Sequence, residues 1–234
     1  MGFYVALGDS MSIDACAGGP GRGAASLLSR NRDADFPDWA GCDLAEAGLT
    51  PEMLASDGAT SRDVVVEQLP LVIEPPALVT LTIGGNDLLT AYGQAAAAYA
   101  AVEAVVAAGE EILQRLSLIG AGFVVVTTVY DPSDGTGELP TTALAPWPEG
   151  PSVLAALNTA LRDLAHRHGA VIADVHQAFL GHGATAGDPG QPEPQPTNRD
   201  LWYCGVIEPN AWGAHHIRRT WWEAIEGNGG LPIR

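Results

Sequence analysis

Lysine is missing altogether, so all 11 cationic side chains are arginine. A P-loop phosphate site needs a lysine at the phosphates, and that chemistry is excluded. Positive charge is scarce in general: the formal net charge is −17. Such acidity argues against nucleic acid and anionic membrane surfaces as partners, and bears on solubility, not on fold. Cysteine is nearly absent too. Cys16, Cys42 and Cys204 are odd in number and widely spaced, with no Cys-x-x-Cys and no zinc pattern. Reduced structural thiols are therefore expected, with no metal and no cofactor. No uninterrupted apolar run reaches membrane-spanning length; the nearest candidate, Ala95–Ala108, carries Glu103. No basic or long apolar leader precedes the first apolar run, so a soluble, cytoplasmic protein is the simplest expectation.

What is present suffices for one compact domain over residues 1–234, since 47% of the chain is apolar. Strands are expected at Phe3–Leu7, Glu52–Ala55, Ala77–Ile83, Phe123–Val129 and Val171–Asp174. Helices are expected at about Ser61–Leu69, Leu88–Leu118, Ser152–His168 and Asn210–Ile225, with stops at Pro70, Gly120 and Gly169. Strands alternating with helical crossovers indicate an α/β fold with a mostly parallel sheet covered on both faces. Two long loops, Tyr130–Gly150 and Gly181–Asp200, follow late strands and should overhang the sheet's carboxyl edge. The Pro-rich core of the second, Asp188–Pro196, is expected to run extended.

Gly8-Asp9-Ser10 stands at the end of the first strand, where an open α/β sheet presents a nucleophile. Gly58-Ala59-Thr60-Ser61 and Gly84-Gly85-Asn86-Asp87 follow the next two strands. Acyl transfer needs a nucleophilic oxygen, a base and donors aimed at the developing oxyanion. Ser10 supplies the first. Its own N–H, the N–H of Gly58 and the side-chain amide of Asn86 are candidate donors. The plainer readings make Ser10 and Asn86-Asp87 helix caps. Asp14 either faces the site or is solvated, and the Gly18–Gly23 cluster reads as a mobile loop over the site. His215 and His216, adjacent on the last helix, read as surface or interface residues, and Trp147, Trp202 and Tyr203 line a pocket or pack the loops.

With these fragments the chain resembles the GDSL, or SGNH, hydrolase family, through Ala6-Leu7-Gly8-Asp9-Ser10, Gly58 and Gly84-Gly85-Asn86-Asp87. The resemblance implies a three-layer α/β/α sandwich with a five-stranded flavodoxin-like sheet. It also implies hydrolysis of small esters or thioesters through an acyl-enzyme on Ser10, with Ser10, Gly58 and Asn86 as the oxyanion hole. The family's fourth block, Asp-x-x-His-Pro, is altered. Here Gly205-Val206-Ile207-Glu208-Pro209-Asn210 places Glu208 at the histidine position and Gly205 at the aspartate position.

Three readings of that gap stand open. Glu208 is the base, its pKa lifted by partial burial from an unperturbed value of about 4.3. Alternatively His182, in Gly181-His182-Gly183, enters from the late loop. In the third reading the base is lost and the protein binds a ligand without turnover. A structural role for Glu208, as an acid near a helix start, competes with the first.

Overall fold

The computed structural model describes residues 2–139, 144–186, 201–205 and 207–231. Five parallel strands form one sheet: β1 (Phe3–Leu7), β2 (Thr50–Met53), β3 (Leu78–Leu81), β4 (Phe123–Thr127) and β5 (Val171–Ala173). Their order is β2-β1-β3-β4-β5, the flavodoxin-like winding, so the chain reverses direction across the sheet between β1 and β3. In open sheets of this kind a crevice opens at the strands' carboxyl ends beside that reversal. Ser10 follows β1 and Asn86 follows β3, so the winding alone brings the first and third motifs together.

Alternation along β1 divides the core. Val5 and Leu7 face one side of the sheet, packed with Val105, Ile112, Leu157 and Leu161. Those residues belong to α4 (Ala95–Ile119) and α5 (Gly150–His168). Tyr4 and Ala6 face the other side, among residues of α1 (Ala24–Ser29) and α7 (Ala211–Gly227). Two buried polar contacts tie that side together: the Tyr4 and Thr80 hydroxyls lie 2.9 Å apart, and the Trp221 indole donates to the Thr127 hydroxyl at 2.8 Å. His215, expected at the surface, is buried between the stacked ring of Phe36 and the guanidinium of the wholly buried Arg218.

Several boundaries differ from the sequence reading, each for a local reason. β2 lies earlier than Glu52–Ala55 because its register against β1 pairs Phe3 with Thr50 and Ala6 with Met53. It is a largely exposed edge strand, so apolar periodicity carries no signal there. The helix expected over Leu88–Leu118 is two: α3 (Gly85–Thr90) and α4. The intervening turn contains Gly93 with φ +74°. The helix expected at Ser61–Leu69 changes winding as it runs, from α2 (Ser61–Asp63) through a π segment at Val64–Gln68 to a 3-10 turn at Leu69–Leu71 that accommodates Pro70. Three short elements had no sequence signal: α6 (Val175–Phe179), β6 (Tyr203–Cys204) and β7 (Glu208–Pro209). The Pro-rich segment Asp188–Pro196 lies outside the described residues.

Candidate active site

Gly8 makes the turn that carries Ser10 to the edge of the cleft. Its φ is +128°, and a Cβ there would meet the Thr82 carbonyl oxygen at 2.1 Å, so backbone conformation and space both demand glycine. Gln68 holds this turn from below. The Gly8 N–H donates to Gln68 Oε1 at 2.7 Å, and Gln68 Nε2 donates back to the Gly8 carbonyl at 2.8 Å. Asp9 is buried beside it, its carboxylate accepting the Met11 N–H at 3.1 Å, while its own N–H donates to Thr82 Oγ1 at 3.0 Å. Burial lifts the Asp9 pKa to about 6, against the pull of its hydrogen bonds. Ser10 caps no helix, because turns follow it until α1 begins at Ala24.

The second and third motifs are stitched to each other. Asn86 Nδ2 donates to the Ala59 carbonyl at 2.9 Å. The Asp87 carboxylate accepts the Ser61 N–H at 2.9 Å and its hydroxyl at 2.7 Å. Neither side chain caps its own helix, which begins after Gly84. Gly58 sits exposed at the head of this stretch.

Glu208 reaches the same place from the far end of the chain. It lies in β7, paired antiparallel with β6 so that Cys204 faces Glu208 and Tyr203 faces Pro209. Asn210 ties the hairpin to α7: its Nδ2 donates to the Leu201 carbonyl, and its Oδ1 accepts the N–H groups of Trp212 and Gly213. The Tyr130 hydroxyl donates to the Ile207 carbonyl at 2.7 Å. So held, the half-buried Glu208 carboxylate lies beside the Ser10 hydroxyl. Burial raises the Glu208 pKa, the Ser10 hydroxyl opposes the rise, and the nearby Asp57 charge adds to it.

Beside Ser10 and Asn86 opens a cleft of about 110 Å³, walled by Leu88, Leu89, Tyr92, Trp147, Leu154 and Ile207. Trp147 thus fulfils its pocket-lining role, whereas Trp202 and Tyr203 pack against Phe179. His182 does not join Ser10. Its ring lies flat on Trp202, and that indole is covered on its other face by His216. Asp134 fixes the segment, its carboxylate accepting the N–H groups of Gly181, Gly183 and Thr185.

Asp14 is neither in the cleft nor merely solvated: it accepts the N–H groups of Gly21 at 2.8 Å and Gly23 at 2.7 Å. The glycine cluster it gathers is thereby pinned and contributes no residue to the cleft wall, contrary to a loop over the site. Among the described residues no group of three or more metal-ligating side chains converges, and no helix is long and apolar enough to cross a membrane.

Comparison with known proteins places this arrangement. The model of the GDSL-like lipase/acylhydrolase family matches residues 6–214. The chain belongs to this family. No curated protein sequence matches it. Solved structures share the fold. An extracellular lipase from Streptomyces rimosus is 21% identical with a TM-score of 0.57, over 96% of this chain and 100% of the other. A phospholipase A1 from Streptomyces albidoflavus is 22% identical with a TM-score of 0.57, over 95% and 99%. A psychrotrophic esterase from Pseudoalteromonas is 16% identical with a TM-score of 0.59, over 97% and 98%.

As a GDSL-like chain it departs from the pattern at two positions of the fourth block. Gly205, one of them, occupies the turn between β6 and β7 with φ +59°. Sequence reasoning missed three supports of the site: Gln68 on Gly8, Tyr130 on Ile207, and Asn158. The Asn158 carboxamide clamps Val129, accepting its N–H at 2.8 Å and donating to its carbonyl at 2.8 Å. Asn158 was visible as a lone polar residue on the leucine face of α5; the other two left no such signal.

Proposed function

We propose that this chain is a serine-dependent hydrolase of small carboxylic esters or thioesters, acting as a single unit over residues 1–234. The observation that carries the reading is that the β6–β7 hairpin brings the Glu208 carboxylate beside the Ser10 hydroxyl at the turn after β1. Ser10 Oγ attacks the substrate carbonyl while its proton passes to Glu208. The oxyanion that forms is held by the N–H groups of Ser10 and Gly58 and by the amide hydrogen of Asn86 not engaged with Ala59. The alcohol or thiol leaves with the proton from Glu208, and an acyl group remains on Ser10. Water, deprotonated by Glu208, then releases the acid and restores the serine.

A carboxylate with an ordinary pKa is a weak base at neutral pH. Desolvation and the Asp57 charge both move Glu208 in the useful direction. The apolar walls beside Ser10 suit an uncharged acyl chain. Labelling with a fluorophosphonate, mapped by peptide mass spectrometry, tests the reading. An adduct on Ser10, absent from Ser10→Ala and slowed strongly by Glu208→Gln, is expected. A folded wild-type protein that takes no adduct would sink the mechanism and favour a binding protein without turnover.

A further inference from the structure

The loop that carries Ser10 and the hairpin that carries Glu208 meet at two cysteines. Cys204 Sγ donates to the Cys16 carbonyl oxygen at 3.4 Å, which makes the two cysteines neighbours. Both residues are half-buried, within reach of small solutes. Cys204 is also the direct cross-strand partner of Glu208, which puts the two side chains on one face of the hairpin. The contact therefore joins the nucleophile's loop to the segment that presents the carboxylate.

We infer that Cys16 and Cys204 form an oxidation site, joined to a disulfide by a two-electron oxidant of the peroxide class, and that the bond latches the Glu208 hairpin onto the Ser10 loop. With hydrogen peroxide, the Cys16 sulfur attacks one peroxide oxygen and the O–O bond breaks. One water leaves, and Cys16 becomes a sulfenic acid. The Cys204 sulfur then attacks the Cys16 sulfur and displaces the second water. Two S–H bonds and one O–O bond are lost, and one S–S bond forms. The sulfurs give up two electrons, the peroxide gains them, and the two waters carry off the thiol hydrogens.

The order of attack follows from the surroundings. Burial, with the Cys16 thiol and the Glu208 charge adding to it, pushes the Cys204 thiol up to about 12, so Cys204 stays protonated and resolves. Glu208, across the strand pair, is the nearby acceptor for its proton. A link between residues 16 and 204 encloses most of the chain and strongly restricts the unfolded ensemble.

The expectation for Ser10 labelling rests on the reading of Glu208 as base; the link itself does not. The full chain is oxidised with stoichiometric hydrogen peroxide, alongside Cys16→Ser, Cys204→Ser and Cys42→Ser. Intact mass, titratable thiols, peptide mapping, melting temperature and Ser10 labelling are read. Expected are the loss of two hydrogens, a fall from three titratable thiols to one, and a Cys16–Cys204 linked peptide. The melting temperature should rise by about 5 °C or more, reversibly with dithiothreitol. Cys42→Ser should behave as wild type and the other two should not link. Ser10 labelling should persist in the latched form. Three thiols that stay titratable, separate sulfinic acids, or a link that leaves the melting temperature unchanged would each overturn the site. Loss of labelling on oxidation would overturn the latch by showing a displaced hairpin. If Ser10 takes no label in either form, the hydrolase reading fails while the thiol measurements still decide the latch.

Discussion

The ring of His182 lies face to face with the indole of Trp202, 3.3 Å between centroids and 9° from parallel. That stack holds the histidine in the packing beneath α7, where His216 covers the other face of the indole. Replacing His182 with alanine should leave fluorophosphonate labelling of Ser10 within a few-fold of wild type. Stability should fall by about 1 kcal/mol as the stack is lost, read by chemical denaturation. A labelling rate that collapses in a folded His182→Ala protein would return the histidine to the reaction.

Glu208→Gln should reduce ester hydrolysis by about 10²-fold or more, because glutamine keeps the shape and cannot take a proton. In the wild type, the rate should climb with pH as Glu208 loses its proton and then level. Burial and Asp57 raise its pKa, so the climb should sit above the range of an exposed carboxylate. A profile that is flat from acid to neutral would exclude Glu208 as the titrating base.

Asn86→Ala should lower kcat by about 10²–10³-fold with little change in KM, the pattern of a donor used chiefly on the oxyanion. The Asn86 bond to Ala59 also shapes the neighbouring motif. A melting curve on the same variant separates the two effects: a large kcat loss with an intact melting temperature supports the donor role.

Asp9 carries a pH dependence of stability with a definite sign. Its pKa is raised in the folded protein, from 3.8 to about 6, so the native state holds this proton where the unfolded chain releases it. Its contribution is fully present below about 4 and is lost as pH rises through about 6. Asp9→Asn should therefore gain relative to wild type across that window, by about 3 kcal/mol at pH 7. The difference between the two proteins cancels the opposite trend from His215 and His216, whose pKa values burial depresses to about 3. Equal stability of variant and wild type at pH 4 and pH 7 would contradict it.

Gln68→Leu should cost about 2–4 kcal/mol, since both the N–H and the carbonyl of buried Gly8 lose a partner. Turnover should suffer beyond the stability loss, as the turn that aims Ser10 slackens. Assays well below the variant's melting temperature check this: kcat should fall with KM nearly unchanged.

Much of this architecture was legible because it is written in apolar runs and glycine turns. Phe3–Leu7 was read to the residue, and the motifs after three strands were enough to suggest the family. The failures share a cause. β2 is an exposed edge whose position is set by backbone pairing with β1, and β6 and β7 are two-residue strands fixed by Asn210 and Tyr130. Long-range hydrogen bonds of this kind leave no periodicity. The helix over Leu88–Leu118 was read as continuous because a single Gly93 in an alanine-rich run is a weak break. At the site, Ser10, Asn86 and Glu208 meet in the structure, whereas His182 offered only its residue type. The support given by Gln68 was hidden because a glutamine on a helix is ordinarily a surface residue.

Gln68 and Asn158 have a common geometry on either side of β3. Each offers its carboxamide to one residue, Gly8 beyond β1 and Val129 beyond β4, and takes up both an N–H and a carbonyl. In effect each side chain is a counterfeit strand one peptide long. The ladder thus gains an extra rung on both flanks just where real strands have ended, and the floor of the cleft inherits the stiffness of a sheet while its chain paths are free to diverge.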